Sequence, residues 1–123
     1  MKKELAVQLK QAGFPQVFTE AKCYYDTQEK SETTYFVPYY GIDNETRYAV
    51  VPTLEELIEA CKKTHESNGY TFDFVINYVN SEEPYWFAGY EYMDGWCEGE
   101  DGQGATPAEA VANLWLSLNK ELK

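Results

Sequence analysis

Two groups of residues in this 123-residue chain have the types and spacing for chemistry. The first is Cys61 and His65. Four residues apart on a helix, a thiol and an imidazole sit one turn from each other, which is the reach of a nucleophile and its base. The second is acidic: Glu82 and Glu83, then Glu98, Glu100 and Asp101. Carboxylates gathered in one place can act as general acid and base or hold a hard cation. Each pattern also has a plainer reading. Cys61 falls on the apolar stripe of its segment, where a thiol behaves as a small, inert hydrophobe. No third group that would orient the imidazole can be named. The acids read equally well as a solvated face. No catalytic, cofactor-binding or metal-binding residue is therefore assigned, and the five acids are retained as a candidate interaction surface.

The acids of the second cluster interleave with glycines in Gly99-Glu-Asp-Gly-Gln-Gly104. The spacing G-x-x-G-x-G matches neither the phosphate loop nor the dinucleotide fingerprint, and no lysine follows. Glu98, Glu100 and Asp101 would also repel a phosphate. A calcium loop suits the carboxylates better, but the register fails the EF-hand pattern. The stretch is expected to be a flexible loop, and no cofactor is expected.

Charge sharpens the picture. The formal net charge is −11, and no Lys or Arg lies between Lys63 and Lys120, an interval with ten acids. Such a field disfavours direct contact with nucleic acid or anionic membrane and suits a basic protein partner. Three scattered cysteines and one histidine give neither a disulfide framework nor a zinc ligand set, so a reducing, cytoplasmic setting is expected. The N-terminus lacks the apolar core of a signal peptide, and no apolar run approaches the roughly 20 residues of a membrane span.

The elements that would position these residues are legible in outline. Residues 2–12 read as a helix closed by Gly13 and Pro15, with Phe14 folding back onto it. Strands are expected over 17–25, 33–40 and 48–51, with Pro38 ending the second or placing it at an edge. Thr53 and Glu56 form a capping box that opens a helix over 52–67, stopped by Asn68-Gly69. Residues 70–79 and 85–93 alternate as a hairpin, with Phe72, Phe74, Ile76 and Tyr78 facing the core beside Trp86, Ala88, Tyr90 and Tyr92. Asp94-Gly95 is read as a turn. Thr106 and Glu109 repeat the capping box, Pro107 takes the first helical position, and Ala108, Val111, Ala112, Trp115, Leu118 and Leu122 share one face of a terminal helix. Lys120 and Lys123 suit its C-terminal dipole. The order α-β-β-β-α-β-β-α predicts a single α+β domain over 1–123, mainly antiparallel, with helices packed on one face of one sheet.

Leu5 to Pro15 (LAVQLKQAGFP), Pro52 to Cys61 (PTLEELIEAC) and Ala105 to Lys120 (ATPAEAVANLWLSLNK) resemble segments of small uncharacterised proteins encoded by phages and prophages. The resemblance runs through much of the chain in order, with divergent strands between, and implies no activity. Tyr85 to Leu118, two strands and a glycine-rich turn before T-P-x-E-A, is similar to the antitoxin half of HicAB-type pairs. That short sheet-plus-helix domain usually binds a small basic toxin. This chain departs from it by two further helices, additional strands and the lack of a DNA-binding segment, so that function is not carried over.

The expected function is that of a small, acidic, non-catalytic accessory or protein-binding domain of phage or mobile-element type. Its partner would be a basic protein or a second copy of the chain, met through the acids or through the many tyrosines. One form of it is a DNA mimic, which needs the five acids in a single exposed stripe. The alternative is a small carboxylate- or metal-dependent hydrolase, which needs at least two of them in one concave pocket.

Overall fold

Helix α1 (Lys3–Gln11) ends as its sequence dictates. The Phe14 amide donates to the Leu9 carbonyl at 2.9 Å and the Gly13 amide to the Lys10 carbonyl at 3.1 Å, the paired bonds of a Schellman cap. Gly13 supplies the positive φ of 93° that this cap requires, and Phe14 is buried behind it. In this computed structural model residues 1–20, 22–93 and 95–120 are described. Ala21, Asp94 of the expected Asp94-Gly95 turn, and Leu122 and Lys123 of the expected terminal helix lie outside them.

The chain divides into two compact units, Met1–Pro52 and the residues from Thr53 onward. In the first, β1 (Cys23–Asp26) is the central strand of a three-stranded antiparallel sheet between β2 (Thr34–Phe36) and β3 (Tyr48–Val51). Ala6 of α1 packs on Tyr25 and Ala49 from one face. Strand β1 is shorter than the expected 17–25, and β2 stops before Pro38, as its missing donor requires. A short 3-10 turn, Glu45–Arg47, leads into β3. Its carbonyls are bound by the Lys10 ammonium, which also donates to the Tyr48 carbonyl at 2.6 Å.

Arg47 closes this unit with a fork onto buried Asp26, Nε to Oδ1 at 2.9 Å and Nη2 to Oδ2 at 2.7 Å. The Arg47 hydrogen bonds hold the Asp26 carboxyl below its usual range, against the opposing effect of desolvation. A carboxylate depressed in the folded state stabilises it above the unfolded value of about 4 and loses that contribution as pH falls through its own lower value. Acid titration of the first unit, read by tyrosine fluorescence, is therefore expected to show a loss of stability below about pH 4. Asp26→Asn should be less stable at neutral pH and flatten that acid limb; an unchanged limb would remove the assignment.

In the second unit, α2 (Leu54–Ala60) opens with a complete capping box. The Glu56 amide donates to Thr53 Oγ1 at 3.2 Å, and the Thr53 amide donates to the Glu56 carboxylate at 2.8 Å. The helix does not continue to residue 67 as expected. It stops at Cys61, and Thr64–Ser67 forms strand β4, paired with β5 (Tyr70–Val79) across Asn68-Gly69. Both turn residues have positive φ, 51° and 82°, the signature of a two-residue hairpin turn. Asn-Gly thus acts as a hairpin signal and not as a helix stop.

Strand β6 (Tyr85–Tyr92) returns along β5 with Phe74 opposite Tyr90 and Ile76 opposite Ala88, in the expected register of faces. The expected loop 96–104 contains two more strands, β7 (Trp96–Cys97) and β8 (Gly102–Gly104), both paired with β6. Helix α3 (Pro107–Leu118) packs on β8 and β6, and α2 packs on α3. The single sheet of the sequence reading is thus two sheets, of three and five strands, within an α+β architecture whose element order matches in outline. The buried face of α3 keeps the expected Val111, Ala112 and Trp115, is widened by Leu114 and adds Ala110. Ala108 and Leu118 are only partly buried. Among the described residues no helix is long and apolar enough to cross a membrane.

Candidate functional site

The early end of α2 separates the thiol from the imidazole. Cys61 is the C-cap of α2, and His65 lies on β4, so the one-turn geometry of a helix does not exist. The Cys61 thiol is buried, and burial pushes it up to about 11. His65 packs edge-on to Phe72 and lies 6.1 Å from the Tyr90 ring, with Nδ1 facing the Lys62 ammonium at 3.4 Å. Tyr90 is itself buried and donates to the Lys62 carbonyl at 2.8 Å; burial, then the neighbouring Cys61, raise it to about 12. Cys61 and Tyr90 are thus buried as neutral acids.

The five candidate acids separate. Glu82 and Glu83 are exposed at the tip of the β5–β6 hairpin. Glu98, Glu100 and Asp101 lie on the β7–β8 connection, where the Glu98 amide donates to the Tyr90 carbonyl at 3.3 Å. From Pro84 to Tyr90 is six residues of extended chain, or about 20 Å. Glu98 accepts a 2.6 Å hydrogen bond from Ser67, and Glu100 pairs with Lys120 at 3.5 Å. The single stripe that DNA mimicry needs is therefore not formed. A cavity does adjoin Glu98, Glu100 and Asp101, lined also by Phe87, Tyr90 and Cys97, but its volume is about 50 Å³. That accommodates a water or two and no substrate. Among the described residues no three His, Cys, Asp or Glu side chains converge to hold a metal ion.

What the sheet brings together is a different set. Side chains alternate along β5, so Thr71, Asp73, Val75 and Asn77 face away from the helix-covered side. Asp73 is directly opposite Glu91 on β6 and Thr64 on β4, and Glu66 is opposite Thr71. Asp101 joins the same face, because its Cβ lies 3.3 Å from where a Gly89 side chain would begin. Glu66, Asp73, Glu91 and Asp101 thus share one sheet face, and none of its five strands contains a Lys or Arg. The charge of the chain is concentrated in this unit: residues 53–123 carry fourteen acids against four bases, residues 1–52 seven against six. Glu66, Asp73 and Glu91 went unassigned because they lie on three strands whose register only the hairpins define. The period-2 alternation of β5 was the one available signal for Asp73.

The covered face ends in rings. Tyr70, Tyr92 and Trp96 pack mutually at 5.1–5.7 Å over Phe72, and Tyr70 and Trp96 remain about half exposed. In the first unit Phe36, Tyr39 and Tyr40 are more open still, on and just beyond edge strand β2. All three cysteines are free. The chain matches no family model, no curated protein and no solved structure.

Proposed function

We propose that this protein is a non-catalytic, acidic protein-binding domain whose second unit receives a basic partner on its open sheet face. The observation that carries this reading is the direct pairing of Asp73 with Glu91. Like charges opposite one another in a sheet cost roughly 0.2–1 kcal/mol. Here neither β5 nor β6 offers a cation to offset them, and Glu66 and Asp101 add to the same field. A partner presenting Lys or Arg would relieve that repulsion and be steered towards it. The likeness of residues 5–15, 52–61 and 105–120 to phage and prophage segments supports an accessory role on a mobile element. The free, dispersed cysteines support a reducing cytoplasm.

The test separates binding from folding by sign. Asp73→Asn and Glu91→Gln should raise stability by a few tenths of a kcal/mol, measured by urea denaturation. The same variants should lose the salt-sensitive capture of basic proteins from lysate that the wild type shows. Variants that capture as well as wild type would refute this use of the face. A wild type that sediments as a dimer without any partner would move the reading to self-association, with Phe36, Tyr39 and Tyr40 as the exposed contact residues.

A further inference from the structure

The face of the three-stranded sheet opposite α1 carries one tyrosine from each strand: Tyr24 on β1, Tyr35 on β2 and Tyr48 on β3. Tyr24 is central. Its ring centroid lies 5.7 Å from that of Tyr35 and 4.9 Å from that of Tyr48, with interplanar angles of 33° and 65°. With Asp26 and Glu29 these rings line an open cavity of about 220 Å³. Pockets that enclose a whole drug-sized ligand run from about 300 Å³ upward, so this one suits a head group or a single side chain.

The polar groups around it have a definite division of labour. Arg47 already stacks over the Tyr48 ring at 5.7 Å, and its countercharge is Asp26. One tyrosine wall is therefore seen holding a cation. Lys3 reaches the same loop but donates to the backbone carbonyls of Glu29 and Ser31, not to the carboxylate. The Glu29 carboxylate instead accepts from hydroxyls, Tyr35 at 2.9 Å and Ser31 at 3.2 Å, which pins the Tyr35 ring at the cavity edge. Burial and the neighbouring Tyr48 and Asp26 hold the Tyr24 phenol above its ordinary range.

We propose that Tyr24, Tyr35 and Tyr48 form an aromatic cage for a quaternary or methylated ammonium group, with Glu29 as its countercharge. Ring faces attract a cation through their quadrupole. A plain lysine ammonium is strongly hydrated and demands three hydrogen-bond acceptors, which ring faces do not supply, and the carboxylates beside them already accept from Arg47, Tyr35 and Ser31. Methylation keeps the charge and removes that demand. A neutral planar ligand could stack on the rings but would gain nothing from Glu29.

The test uses the full chain and choline chloride, with binding followed by ring-proton NMR. Saturable shifts are expected at the three tyrosines. Dimethylbutanol, the uncharged isostere of choline, should bind about fivefold more weakly or worse. Tyr35→Leu and Glu29→Gln alter partly exposed positions and should each weaken choline by about fivefold with an unchanged far-ultraviolet circular dichroism spectrum. A trimethyllysine peptide that binds more tightly than choline would identify a side chain as the natural source, and equal affinity a free head group. No saturable shift with wild type, equal binding of the isostere, or full affinity in both variants would each overturn the cage.

Discussion

Gly102→Val is expected to detach α3 from its sheet and leave the second unit largely unfolded. A Cβ at this position would stand 2.3 Å from both the Ala110 carbonyl oxygen and the Leu114 amide nitrogen, and 2.8 Å from the Asn113 carbonyl carbon. These are backbone atoms, so no side chain can swing aside; the helix itself must move. Gly104 is similarly crowded, at 2.8 Å from the Ala110 nitrogen. The Asn113 side-chain Nδ2 donates to the Gln103 carbonyl at 2.8 Å, and that strap would go with the contact. Even Gly102→Ala should cost about 3 kcal/mol, the upper part of the overpacking range. The measurement is urea unfolding by tryptophan fluorescence, because Trp86, Trp96 and Trp115 all belong to this unit. Gly95→Ala is the control: nothing lies within 4 Å of its added Cβ, and only the positive φ of 86° resists it, at about 1–2 kcal/mol. A Gly102→Ala midpoint no lower than that of the control would show that helix and strand do not meet there.

Phe72→Ala should be the costliest truncation in the same unit, at about 3–5 kcal/mol. Phe72 is fully enclosed, with its ring centroid 5.1 Å from Trp96, 5.7 Å from Tyr92 and 5.9 Å from His65. Removing it deletes the floor under three rings at once, and the surrounding strands cannot collapse to fill the space. Trp96→Ala removes a larger side chain that is nearly half exposed, so it should cost clearly less. The two variants compared by urea midpoint and by tryptophan emission give the check: equal losses would mean that Phe72 is not the keystone of the cluster.

Much of the fold was legible because it rests on local rules. The strand over 70–79, the short strand over 48–51 and both threonine N-caps follow from alternation and capping alone. The two larger errors share a cause. Asn68-Gly69 can end a helix or turn a hairpin, and nothing within a few residues decides between them. The partner strand β5 decides, by pairing Ser67 with Tyr70 and His65 with Phe72. Likewise Gly99, Gly102 and Gly104 look like a flexible loop until α3 is seen resting on the last two and His65 on the first. The candidate site was least legible of all, because cross-strand register is non-local.

By itself the sequence determined the charge, where that charge lies along the chain, the α+β class and the starts of two helices. Those are properties of composition and of contacts within a few residues. Only the tertiary structure decided which acids meet and which separate. It placed Asp73 against Glu91 while sending Glu82 and Glu83 to a hairpin tip about 20 Å from Glu98. It also turned the glycines before α3 from a loop into a packing seam. The physical reason is the same in both cases. Strand pairing and backbone close approach join residues distant in the chain, and their partners are defined only once both sides are folded.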